Sequence, residues 1–189
     1  MKTALVLVDI QKDYFPGGKM ELRNTVEAGE QAQKLLVHFR STDQPIFHIQ
    51  HVFTDPSATF FLPDTEGVRI YDKVRPSEGE PVIVKHYPNS FRDSTLLEQL
   101  TNQEIEHVVI CGMMTHMCID ATVRAAVDYG FSCTVIHDAC ATRDLIFKNV
   151  SIPAAYAHST ILAALDGVYA NVLSADEFLQ LACSELHFF

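Results

Sequence analysis

Short apolar runs rich in β-branched residues alternate along this chain with stretches whose apolar residues recur every three or four positions. TALVLVD (3–9) is apolar at almost every position and predicts a strand buried on both faces. After the Pro-Gly-Gly of 16–18, NTVEAGEQAQKLLVHF sets Ala28, Ala32, Leu35, Leu36 and Phe39 on one helical face, with Asn24 or Thr25 as its cap. PIFHIQHVF (45–53) and PVIVK (81–85) predict the second and third strands, DSTLLEQL a short helix, and HVVIC the fourth strand. A helix from about Thr115 to Tyr129 stops at Gly130, a residue suited to the left-handed C′ position. CTVIHD (133–138) follows as the fifth strand, then a helix near 153–166 and the strand YANVL (169–173). The last helix, SADEFLQLA, opens on a capping box, Ser174-x-x-Glu177.

Continuously apolar strands separated by helices predict an α/β fold: a parallel sheet covered by helices on both faces, in one domain spanning 1–189. Ligands of such sheets bind at the carboxyl ends of the strands, where the strand order reverses. The segment 54–80, rich in Pro, Asp and aromatic residues, is long for a plain connection and reads as a substrate-side loop or lid.

Composition then removes several functions. A net charge of −10 disfavours nucleic acid and anionic membrane surfaces as partners and leaves a small-molecule substrate. The N-terminal apolar run ends at Asp9, too early for a signal segment, and no later run approaches a membrane span of about 18 apolar residues. Five cysteines, an odd number without a CxxC pair, fit neither a disulfide framework nor a zinc ribbon. A cytoplasmic protein with reduced thiols is the expectation.

Three chemically useful residues fall at predicted strand ends: Asp9, Lys85 and Cys118. With Thr115 as N-cap, Cys118 would occupy the first turn of its helix, where free N–H groups and the helix dipole favour a thiolate. The same N–H groups suit an oxyanion on an attacked carbonyl. Lys85 would stabilise the thiolate, and Asp9 would take the thiol proton and return it to a leaving amine. Each residue alone also has an ordinary reading, as core thiol, turn carboxylate and solvated charge.

Four segments carry a resemblance: LVLVDIQKDYFPGG (5–18), KHYPNSFRDSTL (85–96), VVICGMMTHMCIDATVRAAVDYGF (108–131) and DACAT (138–142). They resemble the isochorismatase-like cysteine hydrolases, over segments running from Ala4 to about Phe178. The resemblance implies a three-layer α/β/α sandwich with a Rossmann-like six-stranded parallel sheet and a catalytic triad of Asp9, Lys85 and Cys118. It also implies a non-proline cis peptide at Met113–Met114, an oxyanion hole from the N–H groups of Met114 and Cys118, and a homodimer or homotetramer. Phe15, Tyr87 and Phe91 match positions that line the relatives' pocket, and Thr115 and His116 are further substrate-binding candidates. Met113, Met114 and Met117 read as soft packing around the thiol. Arg124 and Asp128 are spaced as an i,i+4 ion pair.

Relatives of the nicotinamidase kind bind a metal through Asp-x-His and a later His. Here His51 falls near the Asp, Phe53 stands at the first His, and TDPSATFF offers no second. His48 and His51 suit a packed strand and a pocket rim, so neither metal nor cofactor is expected. The segment GMMTHMC is similar to the metal-free amidases that act on carbamoylsarcosine and streptothricin. The implied function is hydrolysis of a small amide, carbamoyl or lactam bond through a Cys118 thioester. Two alternatives stand beside it: vinyl ether cleavage of isochorismate, and a non-catalytic binding or assembly protein, to which the apolar C-terminal LHFF lends some footing.

Overall fold

A computed structural model describes residues 1–185, with side chains through Ala182; LHFF (186–189) lies outside the described residues. The strands are β1 (Thr3–Val8), β2 (Ile46–His51), β3 (Val82–Lys85), β4 (His107–Met113), β5 (Ser132–Ala141), β6 (Leu145–Phe147), β7 (Val150–Ile152) and β8 (Asn171–Leu173). The helices are α1 (Thr25–Ser41), α2 (Leu96–Asn102), α3 (Asp120–Asp128), α4 (Ala154–Leu165) and α5 (Ala175–Glu185). Six strands form one parallel sheet in the order β3-β2-β1-β4-β5-β8. α1 packs with α5 against the sheet, and α3 packs with α4, which makes the three layers the resemblance implied. The strand order reverses between β1 and β4, so a crevice opens between the carboxyl ends of these two strands.

Local chemistry explains most elements. From Ala4 to Val8, β1 is no more than 2% exposed at any residue, as a central strand paired on both sides requires. The predicted face of α1 is buried at all five positions. Its start differs: Asn24 is left-handed (φ 57°) and its side chain caps nothing. α3 ends in a Schellman motif, with Gly130 (φ 93°) donating to Val127 O and Phe131 to Ala126 O. The capping box of α5 forms in both directions: Ser174 N–H donates to Glu177 Oε2 at 2.8 Å, and Glu177 N–H to Ser174 Oγ at 3.2 Å.

Other departures from the sequence reading bear on the site. The predicted helix at Thr115 begins instead as a single π-helical turn, Thr115–Ile119, in which Ile119 N–H reaches back to Met114 O. The Thr115 side chain caps no helix; it donates to Ala141 O (3.3 Å) and pairs with His158 Nδ1 (2.9 Å). β5 runs on to Ala141 through a register shift opposite Ile110 and Gly112, and β6 and β7 form an unanticipated antiparallel hairpin. Arg124 pairs with Asp120 (2.9 Å) rather than Asp128, placing the acid N-terminal to the base.

The segment 54–80 is stitched down rather than free. Phe61 N–H donates to the buried carboxylate of Asp13 (2.7 Å), Phe53 N–H to Phe61 O (3.0 Å), and residues 10–13 exchange backbone bonds with 67–71. These bonds tie the segment to the stretch that follows β1.

Candidate active site

Asp9 directly follows β1 in a left-handed conformation (φ 52°), one that Asp accepts more readily than most side chains. Its backbone N–H is held by Ile49 O (3.1 Å), and its carboxylate is wholly buried. Lys85 ends the edge strand β3, and its stem crosses the end of β2 to bring Nζ within 2.7 Å of Asp9 Oδ2 and 3.3 Å of Cys118 Sγ. The thiol sits in the π turn after β4 and is 5% exposed. The three residues named from the strand ends thus meet in one chamber.

Gly112 allows β4 to approach β1 this closely. Its φ of 128° is open to glycine, and a Cβ there would lie 1.9 Å from Val8 O. The Met113–Met114 peptide beyond it is cis, as the resemblance implied. Met117 and Ile119 N–H both donate to Met114 O, which folds the turn that presents the thiol.

Charges within the chamber are interdependent. Burial raises the Asp9 pKa, while the Lys85 ammonium draws it back. Burial alone would lower Lys85, but Asp9 and Cys118 outweigh it and the net shift is upward, so the ammonium stays charged. Burial and then the Asp9 carboxylate raise the Cys118 thiol, and Lys85 offsets this only in part. This direction is opposite to the one a helix start favours. The shift runs upward, because burial opposes a free anion more strongly than the neighbouring cation favours one.

The substrate-side residues named from sequence are dispersed. Phe15 stacks on Tyr71 at 3.7 Å beneath α1 and belongs to the core. Phe91 packs against Tyr129 and Phe131, while the neighbouring Ser90 hydrogen-bonds Thr122 in the first turn of α3. Tyr87 contributes its carbonyl to Lys85 (3.1 Å), while its ring lies under Arg92. Thr115 anchors the π turn, and His116 Nδ1 hydrogen-bonds Thr142 Oγ1. Met114 is buried, whereas Met117 is 44% exposed.

Tyr14, Gln11, Phe60 and Phe61, which the sequence did not single out, join His51 and Phe53 around the triad. Tyr14, beside Phe15, has its hydroxyl pKa held well above the usual value by burial and then by Cys118 and Asp9. Its ring meets Phe60 and Phe61, which with Phe53 form an aromatic wall. Gln11, fully buried, bonds the His51 backbone in both directions. His51 lies inside the chamber rather than at its rim, with Nδ1 3.1 Å from Lys85 Nζ. Polar residues placed just past an apolar strand, as in DIQ (9–11), were the available signal for Gln11.

Asp9, His51 and Cys118 bring one ligand-type atom each within 4.8 Å of one another, an O/N/S set of the kind zinc accepts. Lys85 Nζ, however, contacts all three residues at 2.7, 3.1 and 3.3 Å. Its ammonium is the cation of this cage, and a divalent ion would meet it at contact distance, so the residues do not fit a metal.

The Isochorismatase domain family model matches residues 3–177. YddQ of Bacillus subtilis, an uncharacterized isochorismatase family protein, is 52% identical over 95% of this chain and 100% of its own. The secreted isochorismatase effector Isc1 of Verticillium dahliae is 31% identical over 93% of this chain and 89% of its own. The crystal structure of a protein from Oleispira antarctica, described as an isochorismatase hydrolase, superposes with a TM-score of 0.91 at 49% identity, covering 95% of this chain and 96% of that one. Amidases are similar at greater distance. Streptothricin hydrolase of Streptomyces noursei is 30% identical over 92% of this chain and 66% of its own. Maleamate amidohydrolase of Pseudomonas putida is 26% identical, over 95% and 86%. N-carbamoylsarcosine amidase of Thermoplasma acidophilum has a TM-score of 0.79 at 25% identity, over 93% and 98%.

Proposed function

The chain belongs to the isochorismatase family of hydrolases, and from that premise we propose that it cleaves a small amide, carbamoyl or lactam C–N bond through a thioester on Cys118. The observation that carries this reading is the contact of one buried ammonium with both Asp9 (2.7 Å) and Cys118 (3.3 Å). The amidases among the relatives support the bond class.

In the resting state Asp9 is the carboxylate partner of Lys85 and Cys118 is a thiol. As sulfur attacks the substrate carbonyl carbon, Asp9 takes the thiol proton, so no free thiolate has to persist in the buried chamber. Lys85 stabilises the charge developing on sulfur, and the Met114 and Cys118 N–H groups receive the oxyanion. Collapse of the tetrahedral intermediate breaks the C–N bond while protonated Asp9 delivers its proton to the leaving nitrogen. Water then attacks the thioester with Asp9 as base, and sulfur leaves and regains a proton. A carboxyl group with a raised pKa suits both halves of this cycle. Tyr14, Phe53, Phe60 and Phe61 form an apolar wall against which a planar or apolar acyl group fits. The reading needs no metal or cofactor, and the free thiols at Cys111, Cys118, Cys133 and Cys140 suit a reducing cytoplasm. A homodimer or homotetramer remains part of the proposal.

One relative favours a second reading: Isc1, by name an isochorismatase effector. Vinyl ether cleavage needs protonation of the double bond and attack by water, with no covalent step. A screen of small primary amides, ureas, lactams and isochorismate, run with wild type beside Cys118→Ala, separates the two. The expected result is amide turnover, an intact-mass gain equal to the acyl group on a slow substrate, removal of that adduct by hydroxylamine, and an inert Cys118→Ala. Isochorismate turnover that survives in Cys118→Ala, without any adduct, decides for the ether.

A further inference from the structure

We propose that His51 is a positioning residue for the catalytic lysine: its Nδ1 accepts a hydrogen bond from Lys85 and holds the ammonium between Asp9 and Cys118. The parallel register of β2 and β3 pairs His51 with Lys85, so the two side chains leave neighbouring strands on the same face. An ammonium only donates, so at 3.1 Å Nδ1 must be the acceptor and Nε2 carries the ring hydrogen. Nε2 is buried and has no partner among the described residues. The bond to Lys85 is thus the single side-chain polar contact of an imidazole that is only 4% exposed. Its ring neighbours are Phe53 (4.4 Å) and Phe61 (6.1 Å), a setting that a phenyl ring would fill without burying an unpaired N–H.

The backbone around His51 is fixed from the Asp9 segment. Gln11 accepts from His51 N–H (2.8 Å) and donates to His51 O (2.9 Å), and it lies two residues after Asp9. One short stretch therefore places the general base and, through Gln11, the acceptor that aims the lysine. Lys85 needs such aiming. Its stem is flexible, and the carbonyls of Tyr87 (3.1 Å) and Pro88 (3.4 Å) compete for its protons. Without Nδ1 the ammonium has less to hold it at the sulfur.

This inference rests on the reading of Cys118 as nucleophile, and its labelling test needs no substrate, so a failure of the inference is distinguishable from a failure of that reading. Cys118 is alkylated with iodoacetamide over a range of pH and mapped by peptide mass in wild type, His51→Phe and His51→Gln. His51→Phe keeps the ring and loses the acceptor; His51→Gln keeps a side-chain oxygen. The expected result is a labelling profile displaced upward by about one pH unit in His51→Phe, or about tenfold slower labelling at a fixed pH below the midpoint. His51→Gln should fall between it and wild type. On any amide the protein turns over, kcat should fall in the same order, with KM kept within about twofold. A wild-type labelling profile in His51→Phe, or equal losses in both variants, overturns the proposal. Should His51→Phe fail to fold, histidine-labelled ¹⁵N spectra of wild type and Lys85→Met decide. Loss of the donor must move the His51 Nδ1 resonance, and an unmoved resonance overturns the proposal.

Discussion

Asp9 is the residue on which the proposed chemistry turns, and its left-handed backbone makes the choice of substitution matter. Asparagine tolerates that conformation and fills the same volume, but it neither accepts the thiol proton nor returns it. Asp9→Asn is therefore expected to fold and bind substrate while kcat falls by roughly 10²–10⁴. Steady-state kinetics beside equilibrium binding check this, and full activity excludes Asp9 as the base. His51 yields a prediction in stability. Burial, followed by the charges of Lys85 and His86, lowers its pKa from 6.5 to about 3. Between those two values the unfolded chain binds a proton that the folded protein refuses, so stability is full above 6.5 and drains away as pH falls towards 3. Melting temperatures measured across that window should decline less steeply in His51→Phe than in wild type.

At the scale of elements, two glycines with positive φ should respond differently. A Cβ on Gly112 would overlap Val8 O, locking apart the two strands that must meet at the crevice. A Cβ on Gly130 meets nothing within 4 Å, so only the backbone conformation resists it. Gly112→Ala is expected to cost about 3 kcal/mol or more and to abolish turnover. Gly130→Ala should cost about 1–2 kcal/mol and leave turnover intact. Urea unfolding curves with parallel assays distinguish them, and equal costs would remove the close approach of β1 and β4 as the reason for Gly112.

Over the whole molecule, the sheet topology brings a carboxylate, an ammonium and a thiol from three separate strands to one buried point. Because the ammonium supplies the cation there, dialysis against a strong chelator is expected to leave turnover unchanged. Turnover lost on chelation and restored by zinc or iron would place the protein with the metal-bearing relatives. No helix among the described residues is long and apolar enough to cross a membrane.

Periodicity by itself determined the bodies of the helices, the central strands and the caps at Gly130 and Ser174, because each depends on neighbours within a few residues. It also placed Asp9, Lys85 and Cys118 at strand ends. Their meeting depended on strand order, which local pattern does not encode. Only the tertiary structure decided that Lys85 reaches across β2, that His51 Nδ1 meets its ammonium, and that Phe91 packs against Tyr129 and Phe131. It also decided that burial pushes the Cys118 thiol upward in pKa. A helix start favours the thiolate, but burial depth sets the cost of a bare charge, and burial is a property of the assembled chamber rather than of the chain around Cys118.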